Sequence, residues 1–170
     1  MHIYDLTVPQ LQLALRNLDG WLIRAVKHAE ARQVPLEQML AARLAPDQYS
    51  FVRQVQVACD NAKLIPARLA GKQAPGHPDT ETTFDELHAR IASVLAYLGT
   101  FSRTDLDDAE DRKVILPWMT NGQHMLGADY LVQFGLPNFS FHVVTAYAIL
   151  RNQGVPLGKN DYLGQISIRS

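Results

Sequence analysis

The chain has a single cysteine, Cys59, so no internal disulfide can form and the disulfide framework of a small secreted domain is excluded. It has no run approaching the ~20 uninterrupted apolar residues that span a bilayer. Its first residues, Met1-His-Ile-Tyr-Asp-Leu6, lack a basic segment followed by a long apolar run, so no signal peptide is expected. Charge of one sign is also missing. Sixteen basic and 17 acidic residues leave a formal charge of −1, too little to draw in nucleic acid or an anionic membrane. There is no Cys-x-x-Cys, no Gly-x-Ser-x-Gly, no phosphate loop and no dinucleotide fingerprint. No Glu-x-x-His lies on an inward helix face, which removes the carboxylate set of di-iron bundles. These absences leave a cytoplasmic protein with neither a membrane nor a nucleic-acid partner as the expectation.

What is present is helical periodicity. With 170 residues, of which 47% are hydrophobic, the chain suits one domain over residues 1–170 with a proper core. Leu11, Ala14, Leu15, Leu18, Leu22, Ala25, Val26 and Ala29 recur at steps of three and four, which predicts a helix from Val8 to Arg32. Thr7 and Pro9 mark its start. A short helix follows over Pro35 to Ala41. A second long helix is predicted from Pro46-Asp47 to Ala70, with Gly71 as its stop and Pro66 as a kink or register shift. Thr83 with Glu86 three residues on is a capping box opening a third helix, whose stripe is Phe84, Leu87, Ile91, Val94, Leu95 and Leu98. Residues 113–126 suggest a small β-hairpin around Met119-Thr-Asn-Gly122. The last long helix runs from Pro137 to Gln153, and 154–170 reads as a tail. Four long amphipathic helices with one long connection predict an all-α fold, an antiparallel four-helix bundle with a small β-hairpin before the last helix.

The chemistry concentrates on the last helix. Asn138, His142, Thr145 and Ile149 share one narrow face, which also carries the apolar load. Polar groups on an inward face are where helical bundles build ligand or metal sites. Helix two offers Gln54 and Asn61, two turns apart beside the apolar stripe, and a buried amide needs a partner. The expected ligand pocket is therefore His142, Asn138 and Gln54, with His88 or Thr145 at its edge. The competing reading makes His142 a core histidine bonded to a backbone carbonyl or to Asn138. His2, His28, His77 and His124 read as solvated, and Cys59 as inert packing.

Several segments carry a resemblance: Ala41-Ala-Arg-Leu-Ala-Pro-Asp47, Phe51-Val-Arg-Gln-Val-Gln-Val-Ala-Cys-Asp60, Glu81-Thr-Thr-Phe84, and Pro137-Asn-Phe-Ser-Phe-His142 through Gly158-Lys159. Together they resemble an uncharacterised bacterial family grouped with the DinB/YfiT-like helical bundles, over nearly the whole chain. The resemblance implies an antiparallel four-helix bundle, often dimeric. In the wider group many members bind a divalent metal through three histidines, one on the second helix and two, four residues apart, on the last. Some use it for thiol-dependent transferase or isomerase chemistry, and others are hydrolases. Carried over by position, the three sites fall at Gln54, Asn138 and His142, and only His142 is a histidine. The resemblance thus implies a degenerate metal triad. A divalent metal is the disfavoured cofactor, since one imidazole and two neutral amides fall short of the usual three His, Cys or carboxylate ligands.

Two readings of function follow. In the first, a non-catalytic or small-ligand-binding homodimer keeps a polar pocket around His142. In the second, a divalent-metal-dependent or thiol-dependent transferase or hydrolase works there. The homodimer also draws on the aromatic-rich C-terminal region with Trp118, Phe134, Phe139, Phe141 and Tyr162.

Overall fold

The computed structural model describes residues 2–168. The protein is mostly helical with one small two-stranded sheet. A single turn of helix, α1 (Ile3–Leu6), leads into α2 (Val8–Arg32), which spans the range its periodicity predicts. Thr7 stands at the start of α2, but its hydroxyl donates backwards, to Ile3 O at 2.8 Å and Tyr4 O at 3.2 Å. It therefore closes α1 rather than capping α2. Gln33, in the left-handed region at φ 56°, ends α2.

The short α3 (Leu36–Ala41) precedes α4 (Phe51–Leu69). The second long helix therefore begins later than Pro46-Asp47 suggested, because 42–50 form an extended turn region. α4 continues through the buried Pro66 for a last turn. Gly71 at φ 65° follows it, and Lys72 N donates to Ala67 O at 2.7 Å, closing the end as the glycine predicts. α5 (Phe84–Leu98) opens with the expected capping box. Glu86 N donates to Thr83 Oγ1 at 3.2 Å, and Thr83 N donates to the Glu86 carboxylate at 3.0 Å.

A one-turn 3₁₀ helix (Arg103–Leu106) leads to the hairpin, in which β1 (Lys113–Val114) pairs antiparallel with β2 (Met125–Leu126). The pairing is shorter than 113–126 suggested. α6 (Gly127–Asp129) runs into a π-helical stretch, Tyr130–Gly135, and then into α7 (Leu136–Asn152). Gly127 has a steric reason to be glycine: a Cβ there would lie 1.8 Å from the Ala109 carbonyl oxygen.

The tail contains α8 (Lys159–Leu163), which the sequence did not suggest. Five residues are too few to display a period, and what holds α8 is tertiary. Trp21 Nε1 donates to Asp161 O at 3.1 Å, and the Trp21 ring stacks on Tyr162 at 6.0 Å. The aromatic C-terminal region is thus divided: Phe139 is buried, Tyr162 is spent on Trp21, and Trp118 and Phe141 stay exposed.

Among the long helices, α4 packs against α5 and α7, and α2 packs against the same two. Leu18, Leu22, Phe51, Val55, Phe84 and Ile91 are buried at the centre, while Leu95 is only half-buried at the edge. No helix among the described residues is long and apolar enough to cross a membrane.

Candidate functional site

The α4–α7 seam carries the polar residues of interest. Gln54 and Asn61 lie seven residues apart on α4, and Asn138 and His142 four apart on α7, so each pair projects toward the facing helix. Gln54 meets His142, with Oε1 2.7 Å from Nδ1, and Asn138 Nδ2 donates to Asn61 Oδ1 at 3.0 Å. Rising numbers on α4 meet falling numbers on α7, so the two helices run in opposite directions.

Gln54 is fully buried and His142 is 7% exposed, so both need partners. Gln54 Nε2 donates to the Tyr49 carbonyl at 3.3 Å, which turns the amide oxygen toward the imidazole. An oxygen there requires His142 Nδ1 to carry the proton. Nε2 then holds the lone pair, and no described residue hydrogen-bonds to it. Burial lowers the His142 pKa, and the nearby Arg53 charge adds to the effect, so the ring is neutral near pH 7 by both causes. The Tyr49 ring lies nearly parallel to the imidazole at 6.4 Å, and the Phe141 ring meets it edge-on at 5.2 Å. Both aromatic residues are exposed.

The remaining expected residues are placed as follows. Asn138 adjoins the pair but bonds to Asn61, whose Nδ2 is buried without a partner in the protein. Thr145 is buried, and its hydroxyl donates to Phe141 O at 2.7 Å, one turn back on its own helix. His88 is not beside His142. Its Nδ1 lies 2.5 Å from an Asp19 carboxylate oxygen on α2, and it lines a separate cavity of about 320 Å³. It is drawn off the core stripe of α5 because Asp19 supplies a partner at the helix edge. A further cavity of about 560 Å³, walled by Ile3, Leu131 and Val132 with Asp107 and Glu110 at its rim, contains none of the expected site residues.

The donor set does not fit a divalent transition metal. Among the described residues no group of three or more His, Cys, Asp or Glu side chains is arranged to hold one. The side chain hydrogen-bonded to His142 is the neutral amide of Gln54, and the adjoining Asn138 is neutral too. Cys59 is fully buried, and burial pushes its thiol up to about 12, so it is no thiolate donor or nucleophile at neutral pH.

A family model described as "Domain of unknown function (DUF1993)" matches residues 3–163. The chain belongs to the DUF1993 family. It is also similar to a DinB family member protein from Shewanella denitrificans, known from a crystal structure at 1.83 Å resolution. That similarity covers 99% of this chain and 95% of the other, at 44% identity and a TM-score of 0.95. No curated protein matches. This DUF1993 chain is therefore a DinB-family protein as well.

The DUF1993 fold holds a second polar cluster that the sequence reading missed. Arg90 of α5 has a side chain only 1% exposed. Its guanidinium reaches Asp60 on α4 at 2.8 Å, and Asp79 at 3.0 Å and Glu81 at 2.9 Å on the segment 72–83. Arg53 bonds to Asp79, and Lys63 lies 2.8 Å from Asp60. Three cations thus face three carboxylates. Burial raises the Glu81 carboxyl, but hydrogen bonds from Arg90, its own backbone and Gln56 outweigh burial and leave it low. His77, read as solvated, instead lies 2.8 Å from Lys63 Nζ. His2 is likewise engaged, accepting from Tyr4 N at 3.1 Å to cap α1. One signal for the cluster was available: Arg90 sits on the apolar stripe of α5 between Leu87 and Val94. The segment covering it has no period of its own, so its partners were not legible.

Proposed function

We propose that this DUF1993 protein is a non-catalytic, small-ligand-binding protein in which a former metal triad has become an amide-held core network. The 2.7 Å contact between His142 Nδ1 and Gln54 Oε1 carries this reading. It commits the imidazole nitrogen facing α4 to a neutral amide at a position where the wider DinB-like group places a histidine. The lone pair left on Nε2, flanked by the exposed Tyr49 and Phe141 rings, suits a small molecule with one hydrogen-bond donor and a flat apolar portion. In the same proposal residues 1–170 form one domain, an antiparallel four-helix bundle of α2, α5, α4 and α7, acting as a cytoplasmic homodimer. Exposed Phe141, Val144 and Trp118 support a dimer, since apolar surface of that kind marks interfaces. Light scattering at micromolar concentration should give twice the chain mass, and a monomer would remove the dimer from the proposal.

One observation favours the enzymatic alternative, a metal-dependent or thiol-dependent transferase or hydrolase. His142 Nε2 is neutral and has no partner among the described residues, as a general base or a single ligand would be. Metal content of untagged protein dialysed without chelator separates the two, together with thermal melts with and without Zn²⁺ or Ni²⁺. The proposal expects no bound metal, no metal-dependent stabilisation, and His142→Ala that only lowers stability. One equivalent of metal, lost in His142→Ala, would overturn it in favour of the enzyme.

A further inference from the structure

We infer that His77 is a proton-sensitive latch holding the 73–77 part of the α4–α5 connection against the two helices. The geometry of its two ring nitrogens carries this inference. Lys63 Nζ lies 2.8 Å from His77 Nδ1, and His77 Nε2 lies 3.0 Å from Ser93 Oγ. An ammonium group has only donors, so Nδ1 must accept and Nε2 must carry the proton and donate to Ser93. A second proton would set an N–H against the Lys63 ammonium and remove the bond. Lys63 has no room to retreat. Its side chain is 5% exposed, and its other contact is Asp60, 2.8 Å away.

The charges facing His77 come from three elements. Lys63 and Asp60 stand on α4, Arg90 stands on α5, and Glu81 lies farther along the connection itself. Glu86 of α5 and Thr80 share with His77 a cavity of about 310 Å³, which gives a displaced ring somewhere to go. Burial disfavours the charged ring most, Lys63 and Arg90 oppose it further, and Asp60 and Glu81 offset only part, so the His77 pKa is lowered. The connection beyond the latch is held separately, because Arg90 Nη1 donates to Pro78 O at 3.1 Å and to Glu81 at 2.9 Å. Protonation therefore frees 73–77 while 78–83 and the α5 cap stay in place. Among the described backbone hydrogen bonds none is donated by 73–77, so His77 supplies the polar tie of that stretch, beside the packing of Ala74 on the core.

Backbone ¹⁵N relaxation on the full chain tests this at about pH 7.5 and at about pH 5 or below, the lower pH being one at which the His77 ring's own NMR signals show it protonated. Order parameters over 73–77 should fall from near ~0.85 toward ~0.6 or below, the range of a flexible backbone, while those of α5 stay constant. His77→Gln, whose amide accepts from Lys63 and donates to Ser93 without titrating, should stay ordered at both pH values. If His77→Gln is loose at both, Lys63→Met decides: it removes the opposing charge and should abolish the pH-dependent loss. Unchanged order in the wild type once the His77 ring is protonated, or a pH-dependent loss that persists in either variant, overturns the inference.

Discussion

Arg90→Met is the substitution whose cost the structure predicts most closely. Methionine keeps most of the stem volume and removes the guanidinium, so the carboxylates lose their shared partner. They do not lose it equally. Asp60 keeps Lys63 at 2.8 Å and Asp79 keeps Arg53, and both carboxylates have side chains more than a quarter exposed. Glu81 is 11% exposed and retains no cation, only the amide of Gln56 at 2.9 Å and its own backbone N–H. One nearly buried charge is therefore stranded rather than three. Removing one partner of a buried ion pair costs about 3–5 kcal/mol, and the two rescued carboxylates place this case at the lower end, about 3 kcal/mol. At roughly 2–4 °C per kcal/mol for a chain of this size, the melting temperature should fall by about 6–12 °C. Urea unfolding at neutral pH, followed by circular dichroism, measures the free energy directly. Adding Glu81→Gln to Arg90→Met removes the stranded charge and should recover part of the loss. A single-variant cost below about 1 kcal/mol, the value of an exposed pair, would refute the burial argument.

Three further outcomes follow from the geometry. Gln54→Leu leaves the His142 Nδ1–H and the Tyr49 carbonyl without their partner, and should cost about 1–3 kcal/mol in the same unfolding assay. Gly127→Ala places a methyl group 1.8 Å from the Ala109 carbonyl, which backbone must yield to relieve. Its denaturation midpoint should drop by the equivalent of at least about 1–3 kcal/mol, and a wild-type midpoint would show that the close approach is absent. Stability should also decline as the solution is acidified. His77 and His142 both have folded pKa values below the ordinary 6.5, so the unfolded chain binds more protons. Their contribution is complete above about 6.5 and is lost as pH falls through that value toward the lowered ones. Urea midpoints equal at about pH 7.5 and about pH 5.5 would contradict it.

The long helices were legible because each carries a stripe of apolar residues at helical spacing, from Leu11 to Ala29 in α2 and from Phe84 to Leu98 in α5. The Thr83–Glu86 capping box was equally readable, since it depends on two side chains three residues apart. A buried Gln54 in need of a partner on the last helix was legible, but the choice between Asn138 and His142 was not, because Asn138 is taken by Asn61. His88 went astray because spacing places a residue on a face but does not reveal the Asp19 that waits beside it on another helix. The same limit hid α8, fixed by Trp21, and the Arg90 cluster, fixed by a connection without periodicity.

The amide-held network depends most directly on the protonation of one ring. Imidazole ¹⁵N spectra of His142, recorded near neutral pH before and after one equivalent of Zn²⁺, report it without any activity assay. The predicted result is a protonated Nδ1 and a bare Nε2, with both signals unmoved by zinc. A bare Nδ1, or His142 signals shifted stoichiometrically by zinc, would contradict it and return the site to metal chemistry.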